Sequence, residues 1–424
     1  MKNKYLYFLL STNIIFIIYS LVYVYQNEYL PSPFLYDKND TFMDFFNPLY
    51  WSDNDTRYSV WNSIYPPLSF IILKFLNAIS GPIFASDPFL LREAGTNIKY
   101  LLFLIFLVSP ALTIYYYNHK YFSFKKKFII YFIFISSLPF IFTLERGNLI
   151  IFSLPLLSIL LFNKNCFLKI LSLSLLINLK PYFVILIIPY VLQKNWIILL
   201  KTIFATLVIY IITTILLGSG FFSFMQNLTG FNNSIFSLRE IMSMPSSITN
   251  FSILIENYKD IPMQEIFYFI NILIVFLYYI LLVFVGWILF VFRENLSEQE
   301  LLLIILLSMM CFLYQIGGYA IIFFLALLPI LYKNFRYGLF FVFLIFLPLD
   351  LLPIYSDIIY DRPSYFSNNN VDIYYTLGFG TIFRPIVIYF LLLYVSICIF
   401  IKYSNNIKNT NILKIKTKLC YLLK

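Results

Sequence analysis

The sequence predicts an all-α, polytopic transmembrane protein of about twelve spans, and three observations carry that prediction. Of the 424 residues, 61% are apolar and only 12% charged. That is about half the charged fraction of an ordinary soluble domain. The basic residues sit in short clusters between long apolar runs, the pattern of a chain that crosses a bilayer repeatedly. With the N-terminus in the cytoplasm, nineteen of the 30 Lys and Arg residues fall on cytoplasmic segments, as positive-inside topology requires. This balance excludes a soluble enzyme, a disordered chain and a nucleic-acid binder, and most of the net charge of +10 is accounted for by topology.

The elements follow in order. The apolar run Tyr5 to Gln26 follows Lys2 and Lys4. It is too long for a signal-peptide core and lacks a small-residue cleavage site, so it reads as a retained signal-anchor. Residues 27–96 form a long, acidic first non-cytoplasmic loop. Within it, Tyr65–Ser80 is apolar but short and carries Lys74, which predicts an interfacial helix rather than a crossing. Counting it as a span would also move Lys125–Lys127 to the outer face. Further spans are expected at 97–117, 128–144, 149–163, 166–179, 181–193, 196–218, 265–292, 299–316, 319–332, 338–352 and 384–402. Several are shorter than the roughly 20 residues a crossing prefers, so kinks or local thinning of the bilayer are expected. The pair around Lys180-Pro181 reads equally as two short spans or one broken helix.

This topology leaves three outer loops, 27–96, 219–264 and 353–383, and a basic cytoplasmic tail, 403–424. Both termini are cytoplasmic, and the tail is expected to rest on anionic headgroups of the cell membrane. The whole chain is one integral membrane domain. No internal repeat is visible, which disfavours an inverted-repeat transporter.

The chemistry open to the chain is narrow. Its four cysteines show no metal-binding spacing, and the single histidine, His119, lies beside Lys120. No Gly-rich phosphate loop occurs. A His-based metal site and nucleotide-dependent chemistry are therefore not expected from these residues.

Three stretches stand out. The first outer loop reads T-F-M-D-F-F-N-P-L-Y-W-S-D-N-D-T-R-Y from Thr41, then W-N-S-I-Y-P-P-L-S-F from Trp61. Glu145-Arg146-Gly147-Asn148 opens the span at 149–163, and Ile177-Asn178-Leu179-Lys180-Pro181 interrupts an apolar run. An acidic residue after the first span, a Tyr-Pro-Pro-Leu element, a Gly-plus-Asn turn and a Lys-Pro break resemble the GT-C superfamily of membrane glycosyltransferases. The resemblance is closest to the bacterial mannosyltransferases that use polyprenyl-phosphate mannose, and it covers roughly residues 1–200.

The resemblance implies transfer of a hexose, mannose favoured, with inversion, and no metal, nucleotide or other cofactor. The donor would be a polyprenyl-phosphate sugar and the acceptor a lipid-linked or cell-envelope glycan on the non-cytoplasmic face. Asp44 matches the family's loop carboxylate, which implies the general base. Packed against Phe42, Phe45 and Phe46, it would have its pKa raised by desolvation. From composition alone the favoured reading is that Asp44 is one of several solvated loop acids, with Asp37, Asp40, Asp53 and Asp55; the downstream Tyr-Pro-Pro-Leu match shifts the balance to the base. Asp53 and Asp55 are weaker candidates for the substrate site.

Tyr65-Pro66-Pro67 cannot continue a helix. It reads as a rigid start to a helix that walls a sugar pocket, or as an ordinary Pro-led helix start. Lys180 is embedded between apolar residues, where charges are usually functional, and the resemblance implies a ligand for the donor phosphate. Its alternative is snorkelling to headgroups. Glu145-Arg146 reads as a structural ion pair, or with Asn148 as part of the substrate site. Arg239 with Glu240, Arg362 and Arg384 are further phosphate-binding options that are individually ordinary loop arginines. Two rivals remain: a polytopic transporter or lipid-linked-glycan flippase, and an O-antigen polymerase or ligase type of envelope enzyme.

Overall fold

The structure, a computed structural model, describes residues 3–422 apart from 35, 219, 232–263, 314–315 and 368. It is mostly helical, in the order α1 (Asn3–Asn27), α2 (Met43–Ser52), α3 (Pro67–Ser80), α4 (Pro88–Ala94), α5 (Thr96–Tyr115), α6 (Phe124–Ile135), α7 (Leu138–Arg146), α8 (Ser153–Phe162) and α9 (Cys166–Leu179). There follow α10 (Ile188–Leu192), α11 (Trp196–Leu217), α12 (Ser223–Phe231), α13 (Gln264–Val291), α14 (Glu298–Phe312), α15 (Phe324–Asn334) and α16 (Gly338–Ile345). Strands β1 (Pro353–Pro363) and β2 (Asn370–Gly378) then precede the last helix, α17 (Phe379–Leu422).

Among the described residues, four helices are long and apolar enough to cross a membrane: Tyr5–Asn27, Thr96–Tyr115, Trp196–Leu217 and Phe379–Ser404. Helices α6 and α7 qualify only together and are bent by 55°. The bend falls at Ser136-Ser137, where each hydroxyl returns to a carbonyl of its own chain, and Pro139 sits in the first turn of α7. Most of the remaining expected spans are apolar helices of 10–17 residues, among them Cys166–Leu179, Pro181–Leu192 and Gly318–Asn334. Among the described residues the apolar segments are therefore four long helices, one bent pair and a set of shorter ones.

The core is built around α14. Leu301 through Leu307 and Met309 through Cys311 are buried on every side of it, as expected of a helix enclosed by others. A reciprocal cap between Ser297 and Glu300 fixes its first turn. That turn gathers charge at one end of the bundle. Lys169 meets Glu298 at 2.6 Å, and Lys402 meets Glu300 at 2.7 Å. At the opposite end, the C-termini of α7 and α9 lie beside the first loop and the β-hairpin.

The hairpin corrects the all-α expectation. Residues 353–363 and 370–378 are antiparallel strands, with Tyr360 opposite Ile373 and Pro363 opposite Asn370. Ile, Tyr, Val and Thr favour the pleated form, and the prolines sit at the ends of β1, where no ladder donor is lost. The hairpin docks on the first loop. The Tyr365 amide donates to the Glu28 carbonyl at 2.9 Å, and the Tyr36 hydroxyl meets the Thr376 carbonyl at 3.2 Å. Arg362 lies 3.4 Å from the Asp37 carboxylate. Gly378 and Gly380 permit a close approach behind it, since a Cβ at either would fall within 2.4 Å of Asp350.

Candidate functional site

Asp44 is in the first turn of α2, where a helix N-terminus favours a carboxylate. The helix is preceded by Phe42 in the left-handed region at φ 63°, a conformation that costs a bulky residue about 1–3 kcal/mol. Two contacts hold it there. The Phe42 amide donates to the Glu145 carbonyl at 2.7 Å. Gly147, itself left-handed at φ 67°, packs so closely that a Cβ would stand 3.0 Å from Cβ of Phe45. Arg92 completes the brace by donating to the carbonyls of Lys38, Asn39 and Thr41 at 2.9, 2.9 and 3.2 Å.

Arg146 and Asn148 converge on Asp44 from the other side of Gly147. Nη2 of Arg146 donates to one carboxylate oxygen at 2.7 Å, and Nδ2 of Asn148 donates to the other at 2.8 Å. Arg146 also reaches the Asp40 carbonyl at 2.8 Å. The four residues Glu145-Arg146-Gly147-Asn148 thus form a helix stop rather than only a helix start. Arg146 closes α7, Gly147 caps it, and Asn148 caps the short helical turn 149–152. Glu145 points to the hairpin side. It accepts from Thr41 at 3.1 Å, and the Thr41 hydroxyl pairs with that of Tyr365 at 2.8 Å.

The expectation that packing would raise the pKa of Asp44 is corrected by its partners. Burial does push the carboxyl up, but Arg146, Asn148 and the hydroxyl of Tyr319 outweigh it, so the group is held below the usual carboxylate range. Asp44 is therefore a firmly ionised acceptor.

Lys180 ends α9 in extended geometry, and Pro181 starts a tight helical turn over 181–187. The stretch 166–192 thus holds two short apolar helices separated at Lys180-Pro181. The ammonium lies 4.2 Å from the centre of the Tyr65 ring, within cation–π range, and it interacts with the charge of Asp44. Tyr65 is fixed by its backbone: the Tyr58 hydroxyl donates to its carbonyl at 2.9 Å. Pro66 and Pro67 then lead into α3, the expected short helix, which is joined to α9 by a Ser69–Leu179 hydrogen bond of 3.2 Å.

Asp44, Arg146, Asn148, Tyr65 and Lys180 therefore meet, with Glu145 one layer behind. Asp53 and Asp55 do not join them. Asp53 lies at the far end of α2, 3.6 Å from Lys74, and Asp55 is exposed 3.5 Å from Arg57. Arg384 is buried in a pair with Asp350, and Arg362 serves the hairpin contact with Asp37. Arg239 and Glu240 lie outside the described residues. Among the described residues no three His, Cys, Asp or Glu side chains are placed to hold a metal ion.

Sequence reasoning missed Tyr319, Thr41 and Tyr365. Tyr319 stacks on Phe142 at 5.3 Å and reaches Asp44. Its only sequence signal is Gly317-Gly318, a break between two apolar runs. Tyr365 carries no signal at all, because it reaches the site only once the hairpin has formed.

Two atoms here are buried without a hydrogen-bond partner: Nε of Arg146 and Oε2 of Glu145. One is a donor and the other an acceptor, and a polar ligand would satisfy both. Together the fold and site define a class: a largely helical protein with several apolar helices long enough to span a membrane and a buried cluster of charged and aromatic side chains at one end. Compared with protein-family models, with curated proteins and with solved structures, the chain matches none.

Proposed function

We propose that the protein is a membrane glycosyltransferase that moves a hexose, mannose favoured, from a polyprenyl-phosphate carrier to a lipid-linked or cell-envelope glycan. The observation that carries this reading is a carboxylate, Asp44, clustered with two cations held in different ways. Arg146 is locked to Asp44 at 2.7 Å. Lys180 has its ammonium over the Tyr65 ring.

Asp44 accepts the proton of the acceptor hydroxyl as that oxygen bonds to the anomeric carbon. The bond from that carbon to the phosphate oxygen breaks on the opposite face, giving inversion. The departing phosphate takes its negative charge to Lys180, which would leave the ring to meet it. The free Nε of Arg146 and Oε2 of Glu145 suit sugar hydroxyls. The pocket lies at the end of the bundle away from Lys125–Lys127, which favours the non-cytoplasmic face under the positive-inside rule.

The test is transfer of radiolabelled sugar from synthetic polyprenyl-phosphate donors by purified protein in nanodiscs. Asp44→Asn is expected to lose about 100-fold or more of the rate. Full activity in that variant removes Asp44 as base, and absence of transfer from every donor to any glycolipid extract removes the enzyme reading.

A further inference from the structure

At the opposite end from this site, a groove runs between α1, α6, α15 and α16. All twelve side chains that line it are apolar, among them Leu6, Leu9, Ile130, Leu328, Val342 and Phe346. Phe343 bridges its rim to α1, with ring centres 6.2 Å from Tyr5 and 5.8 Å from Phe8. Those two rings are themselves half exposed, as is Phe128 on α6, so the groove opens sideways among surfaces suited to hydrocarbon.

The mouth is basic. Lys126 precedes Ile130, Ile133 and Phe134 by four, seven and eight positions on α6, so it shares their face. Lys125 beside it is exposed. From the other wall, α15 ends at the exposed Lys333, and exposed Arg336 precedes Leu339 of α16. Four cations stand where helices of both walls end, and no carboxylate lines the groove.

We infer that this groove is a binding site for one acyl chain of an anionic phospholipid whose phosphate is held by Lys125, Lys126, Lys333 and Arg336. A hydrocarbon chain is the occupant that matches an apolar slot open at membrane depth. The cations select the headgroup, since each basic residue near an anionic lipid surface is worth about fivefold in affinity. The site is independent of the proposed transferase pocket.

The test uses two photoreactive lipids with a diazirine in the acyl chain, phosphatidylglycerol and phosphatidylcholine, added to the full-length protein in detergent, with adducts mapped by mass spectrometry. Groove peptides of α1, α6 and α16 are expected to label at least about fivefold more with phosphatidylglycerol. Peptides of α11, whose outer face is exposed, should show no headgroup preference. Leu328→Trp, which fills the slot, should bring groove labelling down to the α11 level. The combined surface variant Lys125→Gln, Lys126→Gln, Lys333→Gln and Arg336→Gln leaves the apolar packing intact and should abolish the headgroup preference. Equal labelling by the two lipids, labelling of α11 as strong as of the groove, or crosslinks from the groove to a second copy of the chain would each overturn the inference.

Discussion

The Lys180 ammonium stands 4.2 Å from the centre of the Tyr65 ring, so two motifs more than a hundred residues apart meet beside Asp44. The ring holds a cation without neutralising it. That leaves the ammonium able to move to a stronger anion, which a carboxylate partner would not allow.

Lys180→Gln is therefore expected to lower kcat by about 100-fold, the usual loss when a group facing developing charge is removed. Tyr65→Phe keeps the ring and should remain near wild type. Tyr65→Leu loses the cation–π contact, about 0.5–2 kcal/mol, and should fall between the two. Steady-state transfer kinetics on the three variants give the order, and an inactive Tyr65→Phe would show that the hydroxyl rather than the ring matters.

Arg146 and Asp44 form a mostly buried pair at 2.7 Å, with side chains 10% and 20% exposed. Arg146→Gln strands the carboxylate and should cost about 3–5 kcal/mol. The double variant Arg146→Gln with Asp44→Asn carries no stranded charge and should recover part of that loss. Thermal unfolding of the purified protein in detergent distinguishes them. Equal losses in the single and double variants would mean that the pair is not coupled.

The lowered pKa of Asp44 sets a sign. Its ionised form is favoured in the folded state, so it contributes stability above the unfolded carboxyl value of about 3.9. That contribution is lost as the pH falls through the lower folded value. The acid limb of transfer activity should accordingly begin below the ordinary carboxylate range. In Arg146→Gln the limb should move to higher pH, because desolvation then acts unopposed. A pH profile of kcat/KM for both proteins checks the shift.

Gly147 is left-handed and in contact with Phe45 and the Phe42 backbone. Gly147→Ala should therefore destabilise by about 1–2 kcal/mol from backbone strain, with a further loss from crowding at 3.0 Å. Activity should fall more than stability, since Arg146 and Asn148 flank this residue. Unchanged activity at reduced stability would separate the turn from the site.

The hairpin rests on the site through Tyr365, 2.8 Å from the Thr41 hydroxyl that supports Glu145. Tyr365→Phe removes one hydrogen bond, a cost of about 1 kcal/mol, and should quicken proteolysis within 364–369 while raising the KM for the acceptor. Wild-type proteolysis together with a wild-type KM would show the hairpin to be anchored elsewhere, for instance at Glu28.

The sequence by itself determined the solvent of this protein. A chain with 61% apolar and 12% charged residues cannot bury its hydrocarbon in water, and that holds whatever its fold. It also located the breaks, because Pro66-Pro67, Lys180-Pro181 and Gly147 act on the local backbone and need no partners to do so. Helix length was less legible. The bend at Ser136-Ser137 depends on hydroxyls turning back to carbonyls, which apolar run length does not register.

Only the tertiary structure decided which charges meet. Asp44, Asp53 and Asp55 look alike in the loop, yet only Asp44 is gripped by Arg146 and Asn148, and that grip reversed the expected direction of its pKa. The hairpin was hidden for the same reason. Its strands alternate weakly, and what stabilises them is docking on Glu28, Tyr36 and Asp37, residues more than three hundred positions away. Local sequence fixes backbone preference over a few residues, whereas the charge and shape of the pocket depend on long-range contacts that exist only once the chain has closed.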